Sequence, residues 1–240
     1  MKTVLITGAS RGLGRELALA FAHAGYAVAV NYQKEKARAE TVVQAIQKSG
    51  GTSEAFPCDV RNSQAVGEMI DAVLSRWGHL DVLINNAGLS RNRTLLKMSD
   101  EEWSDVIDTN LNGVFRCLRA AARVMAREEN GSIINIASYL AFRPSVGAAN
   151  YAASKAAVVA LTRAAAVELG RFSIRVNAVC PGFHETAMGD VLPEEVRKRI
   201  QAEHVLGHST RLDDLTRMVL ELAANESISG QIINVDSRLP

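Results

Sequence analysis

The start of the chain carries a short apolar run, then a glycine-rich segment, then a helical pattern, and few folds accommodate that order. The apolar run Thr3–Ile6 is short and does not alternate, which is typical of a buried strand. The segment Thr7-Gly8-Ala9-Ser10-Arg11-Gly12-Leu13-Gly14 follows it, and an Ala- and Leu-rich helical pattern comes next. A strand that turns through glycines into a helix is the opening unit of a doubly wound α/β sheet.

The same turn is suited to holding a phosphate. Backbone N–H groups converge where the helix begins, and the helix dipole favours an anion there. Gly8 would permit the sharp turn, Gly12 would let the backbone approach a pyrophosphate, and Gly14 would let the helix pack against the strand. The spacing is G-x3-G-x-G, and an ordinary glycine-rich turn is the alternative. The flanking strand and helix favour dinucleotide binding.

Strand-like and helix-like stretches alternate along the rest of the chain. Strands are predicted near 3–7, 26–31, 53–57, 80–85, 131–137, 173–180 and 231–235. Helices are predicted near 12–24, 35–48, 62–77, 101–128, 150–170, 193–205 and 211–224. This alternation predicts βαβ units. We therefore expect one domain over 1–240, a doubly wound Rossmann fold with about seven parallel strands and helices on both faces.

The least regular stretch, 182–210, contains Gly182, Gly189, Pro193 and Gly207. It follows the end of a predicted strand, where ligands of open α/β sheets bind. We interpret it as a substrate lid.

A tyrosine and a lysine stand four residues apart, thirteen residues after Ser138. Tyr151 and Lys155 would lie on one helix face. A lysine ammonium there would stabilise a phenolate and lower the tyrosine pKa, which suits proton transfer to a carbonyl oxygen. Ser138 adds a hydroxyl for the same oxygen. The Tyr/Lys spacing alone is common on helices and does not establish a site.

Together these motifs resemble the short-chain dehydrogenase/reductase family over nearly the whole chain. The matching residues are Thr7–Gly14, Asp59, Asn85-Asn86-Ala87-Gly88, Asn110, Ser138, Tyr151, Lys155, and Pro181-Gly182 followed by Thr186. The stretches Asn150–Ala156 and Val176–Phe183 are similar to those of the β-ketoacyl-acyl-carrier-protein reductases.

The resemblance implies a role for each matching residue. Ser138, Tyr151 and Lys155 would be catalytic, and Asn110 would kink its helix and support a proton path. Asp59 and Val60 would contact the adenine edge, and Asn85, Asn86, Ala87 and Gly88 would serve the adenosine side and the central sheet. Pro181 and Gly182 would bind the cofactor, and Thr186 would bond the nicotinamide carboxamide. Gly8, Ser10, Arg11, Gly12, Leu13 and Gly14 would bind the cofactor.

Charge at the end of the second strand favours NADP(H). A carboxylate there usually bonds the ribose 2′-OH of NAD, whereas this chain has Asn31 and Tyr32, and its first acid is Glu35. Arg11 can pair with a 2′-phosphate, Lys34 is a weaker candidate, and a solvated Arg11 is the alternative. We include Asn31 among the cofactor-binding residues.

Composition limits the partners. The net charge is +1 without a basic block, and no apolar run is long enough to span a bilayer, so neither nucleic acid nor a membrane is expected. With three scattered cysteines and no signal peptide, we expect a cytoplasmic protein with reduced thiols. His204 and His208 lack a third ligand, so no metal site is expected.

Several positions depart from the resemblance. Carrier-protein reductases usually place basic residues near the mouth of the site, and Arg127 and Arg171 are the candidates here, with the acidic pair Glu128-Glu129 opposing an acidic carrier. The carboxyl end reads Asn234-Val235-Asp236-Ser237-Arg238-Leu239-Pro240, where the family typically has a glycine pair after the aspartate.

The expected substrate is a 3-oxoacyl thioester. Its acyl group can be borne by a carrier protein, by coenzyme A or by neither of them. The alternatives are an alcohol, sugar or steroid dehydrogenase and a non-catalytic NADP(H)-binding regulator. Apolar residues around most of helices 101–128 and 150–170 also predict a homotetramer, with a dimer as the alternative.

Overall fold

The predicted strands form because short apolar runs can be buried on both faces only inside a parallel sheet covered by helices. The computed structural model describes residues 1–184 and 194–238. Within these two ranges, seven parallel strands form one sheet in the order β3-β2-β1-β4-β5-β6-β7. They are β1 Thr3–Ile6, β2 Ala27–Tyr32, β3 Thr52–Pro57, β4 Val82–Asn85, β5 Gly131–Ile136, β6 Ile174–Cys180 and β7 Ile232–Asn234. The predicted fold class is confirmed.

Helices cover both faces of this sheet. They are α1 Gly12–His23, α2 Lys36–Lys48, α3 Ser63–Trp77, α4 Asp100–Ile107, α5 Gly113–Glu128, α6 Ala149–Leu169, α7 Glu194–Ala202 and α8 Leu212–Ala224. Alternate strand residues point to opposite faces. Ile6 therefore packs with Phe21 of α1 and Val219 of α8, whereas Leu5 lies in the other core cluster with Met69 of α3 and Met125 of α5.

The sequence predicted a helix over 101–128, and the family resemblance implied a kink at Asn110, where the structure divides the helix. A π-helical turn, Asp108–Asn112, separates α4 from α5. Asn110 lies inside this turn and is fully buried. An asparagine in a helix competes for backbone hydrogen bonds, and π turns often mark functional sites.

Because all strands are parallel, their carboxyl ends meet at one edge of the sheet. β1 pairs with β2 on one side and with β4 on the other, so the direction of winding changes beside β1. Ligands of such sheets bind at that switch point. The glycine segment, the Asn86–Gly88 segment, Ser138 and Pro181 follow the ends of β1, β4, β5 and β6 and therefore share this edge.

Candidate active site

The three glycines after β1 are each required by the local geometry. Gly8 and Gly12 have φ values of +64° and +54°, in the left-handed region that disfavours side chains. A Cβ on Gly8 would lie 2.9 Å from the Ala87 Cα, and one on Gly14 would lie 2.5 Å from both the Asn86 Nδ2 and the Gly8 carbonyl oxygen. A Cβ on Gly12 would meet no atom of residues 1–184 and 194–238 within 4 Å. The turn is therefore tightly packed against its neighbours at Gly8 and Gly14, whereas space is left beside Gly12.

The beginning of α1 fits an anion. Its N-cap residue, Arg11, makes no side-chain cap, and the first turn contains no acidic residue. The N–H groups of the first turn therefore lack both a side-chain acceptor and a competing negative charge. Ser10 and Leu13 lie in the same turn, half-buried. With the open space at Gly12, this cradle suits the diphosphate of a dinucleotide.

Asn86 and Thr7 hold the cradle in place. The Asn86 amide donates to the Thr7 and Gly8 carbonyls at 2.9 and 3.1 Å. The Thr7 hydroxyl accepts from the backbone N–H groups of Asn86 and Ala87, both at 3.0 Å. The segment after β4 is therefore bonded directly to the glycine turn, and the role of Thr7 in this contact was not predicted from the sequence.

The structure gives Asn31 a different role from the predicted contact with the cofactor. Its side chain is buried. Its Oδ1 accepts from the Gly8 N–H at 3.1 Å, and its Nδ2 donates to the carbonyls of Phe56 and Cys58 at 3.1 and 3.2 Å. With both polar atoms bonded to backbone, Asn31 supports the glycine turn from beneath.

Asp59 follows β3, and its negative charge is neutralised locally. Its carboxylate accepts from the Arg61 guanidinium at 2.8 and 3.1 Å and from the Gln33 amide at 2.7 Å. The hydrogen bonds from Arg61 hold the pKa of Asp59 below its usual range. Burial has the opposite effect on this pKa, but the effect is smaller. The neighbouring Val60 is buried against Gly113, where a Cβ would lie 2.8 Å from Val60 Cγ2.

Ser138, Tyr151 and Lys155 come together at the end of β5. The Ser138 side chain is hydrogen-bonded to the Tyr151 phenol, and the Ser138 oxygen also accepts from the Leu140 N–H at 3.2 Å. Lys155 is almost fully buried one helical turn after Tyr151, and its Nζ donates to the Ile136 carbonyl at 2.6 Å. A hydroxyl and a phenol that are half-buried, and an ammonium that is buried, therefore converge at one site.

The pKa of Tyr151 moves in the opposite direction from the prediction. Burial raises it above the ordinary value for a phenol, and the Ser138 hydrogen bond opposes this rise only in part. The Lys155 Nζ lies 5.7 Å from the ring centroid. Burial lowers the pKa of Lys155 to about 8, while the neighbouring Cys180 opposes the change. In this structure desolvation outweighs any lowering of the phenol pKa by the lysine.

Asn110 binds both backbone groups of Leu89, in the loop after β4. Its amide donates to the Leu89 carbonyl at 2.9 Å, and its oxygen accepts from the Leu89 N–H at 2.9 Å. The same amide lies 3.3 Å from the Ser154 hydroxyl, which donates to the Tyr151 carbonyl at 2.7 Å. A Cβ on Gly88 would lie 3.3 Å from the Asn110 Oδ1. Asn110 therefore connects the loop after β4 to the helix that carries Tyr151.

Asn150 has a positioning role that the sequence did not reveal. Its amide donates to the carbonyls of Arg91 and Glu102, both at 3.1 Å, and its oxygen accepts from the Tyr151 N–H at 2.7 Å. The side chain is fully buried. The start of α6 is therefore fixed to α4 and to the loop after β4.

Pro181 and Gly182 extend β6 toward the same edge. Gly182 has a φ of +76°, and a Cβ there would lie 2.4 Å from the Thr210 hydroxyl. The His184 Nδ1 lies 3.1 Å from the Thr210 carbonyl oxygen. Because a carbonyl only accepts, Nδ1 carries the proton and donates it. Thr186 and the rest of 185–193 lie outside the described residues, so the predicted lid is described only at 182–184 and 194–210.

The two basic residues that were candidates for binding a carrier protein lie away from this edge of the sheet. Arg127 precedes β5 and Arg171 precedes β6, whereas Ser138 follows the end of β5. A six-residue strand separates the two ends by about 20 Å. Within one chain, neither arginine flanks the site, contrary to the prediction.

Among residues 1–184 and 194–238, no group of three or more His, Cys, Asp or Glu side chains is arranged to hold a metal ion. No helix in these two ranges is long and apolar enough to cross a lipid bilayer.

The family model for short chain dehydrogenases matches residues 2–197, and the chain belongs to this family. One relative, the 3-oxoacyl-(acyl-carrier-protein) reductase FabG of Staphylococcus aureus, is 44% identical over 237 residues, which are 98% of this chain and 96% of the relative. The protein of the same name from Thermotoga maritima is 36% identical over 240 residues, which are 99% and 97% of the two chains.

Solved structures give the same result. A variant of actinorhodin polyketide ketoreductase, solved with NADPH, superposes with a TM-score of 0.92 at 34% identity and covers 98% of this chain and 96% of its own. A short-chain alcohol dehydrogenase described as putative, from Sinorhizobium meliloti, gives 0.93 at 33% identity over 98% and 95%. The protein is therefore an oxidoreductase that uses a nicotinamide cofactor.

Proposed function

We propose that this protein is a cytoplasmic NADP(H)-dependent reductase of 3-oxoacyl thioesters. The observation that carries the proposal is the hydrogen-bonded pair of Ser138 and Tyr151 at the same sheet edge as the anion cradle at α1. The names of the relatives from Staphylococcus aureus and Thermotoga maritima support the substrate class.

Tyr151 and Ser138 would act on the substrate oxygen. When bound, the nicotinamide supplies a hydride to the carbonyl carbon. Ser138 holds and polarises the carbonyl oxygen, and Tyr151 donates a proton to it as negative charge develops. Because burial raises the pKa of Tyr151, the phenol is protonated at neutral pH and has a proton to give.

Lys155 and Asn110 would support that proton transfer. A lysine ammonium has three donors, and the Ile136 carbonyl takes one of them. The other two can serve the nicotinamide ribose and the phenol. Asn110 acts as a positioning residue through Ser154, because both polar atoms of its side chain are bonded within the chain.

The remaining residues would contact the cofactor. We assign the diphosphate to the cradle, the adenosine to the segments after β3 and β4, and the nicotinamide to the segment after β6. These residues are Gly8, Ser10, Arg11, Gly12, Leu13, Gly14, Asp59, Val60, Asn86, Ala87, Gly88, Pro181, Gly182 and Thr186. Asn31 acts indirectly through Gly8.

The choice of NADP(H) rests on charge at the end of β2. The Asp59 carboxylate reaches Gln33 there, but it is paired with Arg61 and carries little net repulsion for a phosphate. Arg11 has an exposed side chain at the mouth of the cradle. A guanidinium in that place suits a 2′-phosphate.

Arg11→Ala should weaken NADPH binding and leave NADH binding little changed. A lost charge-assisted contact corresponds to roughly 1.5–3 kcal/mol, or about one to two decades in Kd. Fluorescence titration with both cofactors measures this difference. Arg15→Ala is the matched control, because Arg15 is a second cation on α1 that pairs with Glu16. Equal weakening of both cofactors would contradict the assignment, and a wild-type preference for NADH would overturn the choice of NADP(H).

The proposed activity is tested by following NADPH oxidation with a panel of carbonyl compounds. The panel contains acetoacetyl groups on carrier protein, coenzyme A and N-acetylcysteamine, and it also contains aldehydes, sugars, steroids and quinones. We expect the acetoacetyl thioesters to give the highest kcat/KM. A preference for a simple ketone or aldehyde would indicate the alternative dehydrogenase activity, and no turnover with any compound would indicate a binding protein.

The same assay can show whether a carrier protein delivers the acyl group. Lys97 and Arg143 are exposed on the loops after β4 and β5, which are joined by the Arg93 N–H and the Gly147 carbonyl at 2.8 Å. If an acidic carrier delivers the substrate, Lys97→Glu with Arg143→Glu should raise KM for the carrier-bound substrate alone. Arg127→Glu, at the opposite edge, is the control. Equal effects on all three thioesters would argue against a carrier.

We also propose that the protein is a homotetramer. A stripe of small apolar side chains on α6 is exposed: Ala153, Ala156, Ala160, Ala164 and Val167. Phe115 of α5 is 42% exposed and Val167 is 84% exposed. Apolar faces of this kind are usually covered by another subunit, and two two-fold axes generate a tetramer.

Sedimentation at micromolar concentration should therefore give a tetramer. Ala160→Glu should reduce the particle size, because it places a charge in the middle of the stripe. Ala72→Glu, at an exposed position of α3, should leave it unchanged. A wild-type monomer would refute the proposal. A wild-type dimer would indicate that the altered carboxyl end prevents the second subunit contact.

A further inference from the structure

The carboxyl-terminal segment Asp236–Arg238 carries a buried ion pair beside the active site. The Asp236 side chain is fully buried, and the Arg238 side chain is 9% exposed. The Arg238 Nε donates to the Asp236 Oδ2 at 2.9 Å, and the Arg238 backbone N–H donates to Oδ1 at 3.0 Å. A buried charge requires such partners because its desolvation is costly.

His204, two residues after α7, completes this cluster. Its Nδ1 lies 3.2 Å from the Asp236 Oδ1 and 3.0 Å from the Ser237 hydroxyl. The Glu203 carboxylate lies 4.0 Å from the Arg238 Nη1. Two acids therefore compensate the charge of Arg238, which argues against a role in binding an anionic substrate.

The guanidinium of Arg238 stacks on the turn that carries Ser138. The guanidinium carbon of Arg238 lies 4.1 Å from the centroid of the Tyr139 ring. Tyr139 is buried, and it directly follows Ser138 in the chain. Tyr139 begins the 3-10 turn Tyr139–Ala141, and the Ser138 hydroxyl oxygen caps this turn by accepting from the Leu140 N–H. A shift of the Tyr139 ring would therefore move the hydroxyl that bonds Tyr151.

We propose that Arg238 is a positioning residue for the reaction, which holds Tyr139 and thereby aims the Ser138 hydroxyl at Tyr151 and the substrate oxygen. The proposal rests on the function proposed above. Arginine suits this place because a planar guanidinium can stack on a ring and bond a carboxylate at the same time. The glycine pair typical of the family at 237–238 could do neither.

The test compares Tyr139→Leu with the double variant Asp236→Asn/Arg238→Leu, which removes the pair without leaving a buried charge. We expect each to lower kcat about tenfold, since small misplacements of catalytic groups are costly, with the Kd for NADPH unchanged. Combining all three substitutions should add little, because they act through one contact. In a Ser138→Ala background the double variant should lose less than twofold. Arg217→Leu, an exposed arginine on α8, is the control.

A readout on the protein without cofactor separates this proposal from the proposed function. The chain has four tyrosines, so fluorotyrosine labelling gives few NMR signals. The double variant should shift the signals of Tyr139 and Tyr151 and leave those of Tyr26 and Tyr32 in place. An unmoved Tyr151 signal, or a kcat within twofold of wild type, overturns the positioning role. Inactivity of the wild-type protein with a shifted Tyr151 signal would instead count against the function.

Discussion

Tyr151→Phe should abolish reduction while the protein still binds NADPH. The substitution removes only the phenol oxygen that is hydrogen-bonded to Ser138. A general acid contributes roughly a hundredfold or more to the rate, whereas the ring remains to fill its buried place. Turnover with an acetoacetyl thioester and a fluorescence titration with NADPH measure the two properties separately.

Two further variants make this test specific. Tyr26→Phe removes a hydroxyl from a ring that packs against Phe21, away from the site, and turnover should not change. Lys155→Ala should weaken both turnover and NADPH binding, because we assign its ammonium to the phenol and to the ribose. Near-normal turnover by Tyr151→Phe would refute the assignment of Tyr151 as the proton donor.

Gly14→Ala should destabilise the protein and weaken both nicotinamide cofactors. The new Cβ would lie 2.5 Å from the Asn86 Nδ2 and from the Gly8 carbonyl oxygen. Relief of that overlap moves α1 away from the turn, at a cost of about 1–3 kcal/mol in the free energy of unfolding. Denaturant unfolding and titration with NADPH and NADH measure both effects.

Gly67→Ala provides the matched control for this substitution. Gly67 lies inside α3, and a Cβ there would meet no atom within 4 Å. Alanine in a helix interior is favoured over glycine by up to about 1 kcal/mol. The control should therefore be as stable as wild type or more so. A stable Gly14→Ala protein with normal cofactor binding would contradict the close packing described at α1.

The sheet was predictable because its strands are short apolar runs separated by helical patterns. The bounds of the seven strands differ from the predictions by at most two residues. The break in 101–128 was not predictable as a π turn, because it depends on the contact of Asn110 with Leu89, which is distant in sequence. Local propensity shows only that an asparagine in a helix needs a partner.

The sequence predicted which residues form the candidate site better than it predicted their pKa values. The motif spacing placed Ser138, Tyr151 and Lys155 together, but burial reverses the expected direction of the Tyr151 pKa. Desolvation depends on the surrounding fold, which motif spacing does not report. The stacking of Arg238 on Tyr139 likewise joins residues far apart in the chain.

The position of β1 in the middle of the sheet has a consequence during synthesis on the ribosome. β1 leaves the exit tunnel before the other strands of this sheet, but its neighbour β4 begins only at Val82. Until then one side of β1 has unpaired backbone groups, and the nascent chain exposes apolar surface that promotes aggregation. We therefore expect the early translation intermediates of this chain to depend on chaperones more than the completed protein does.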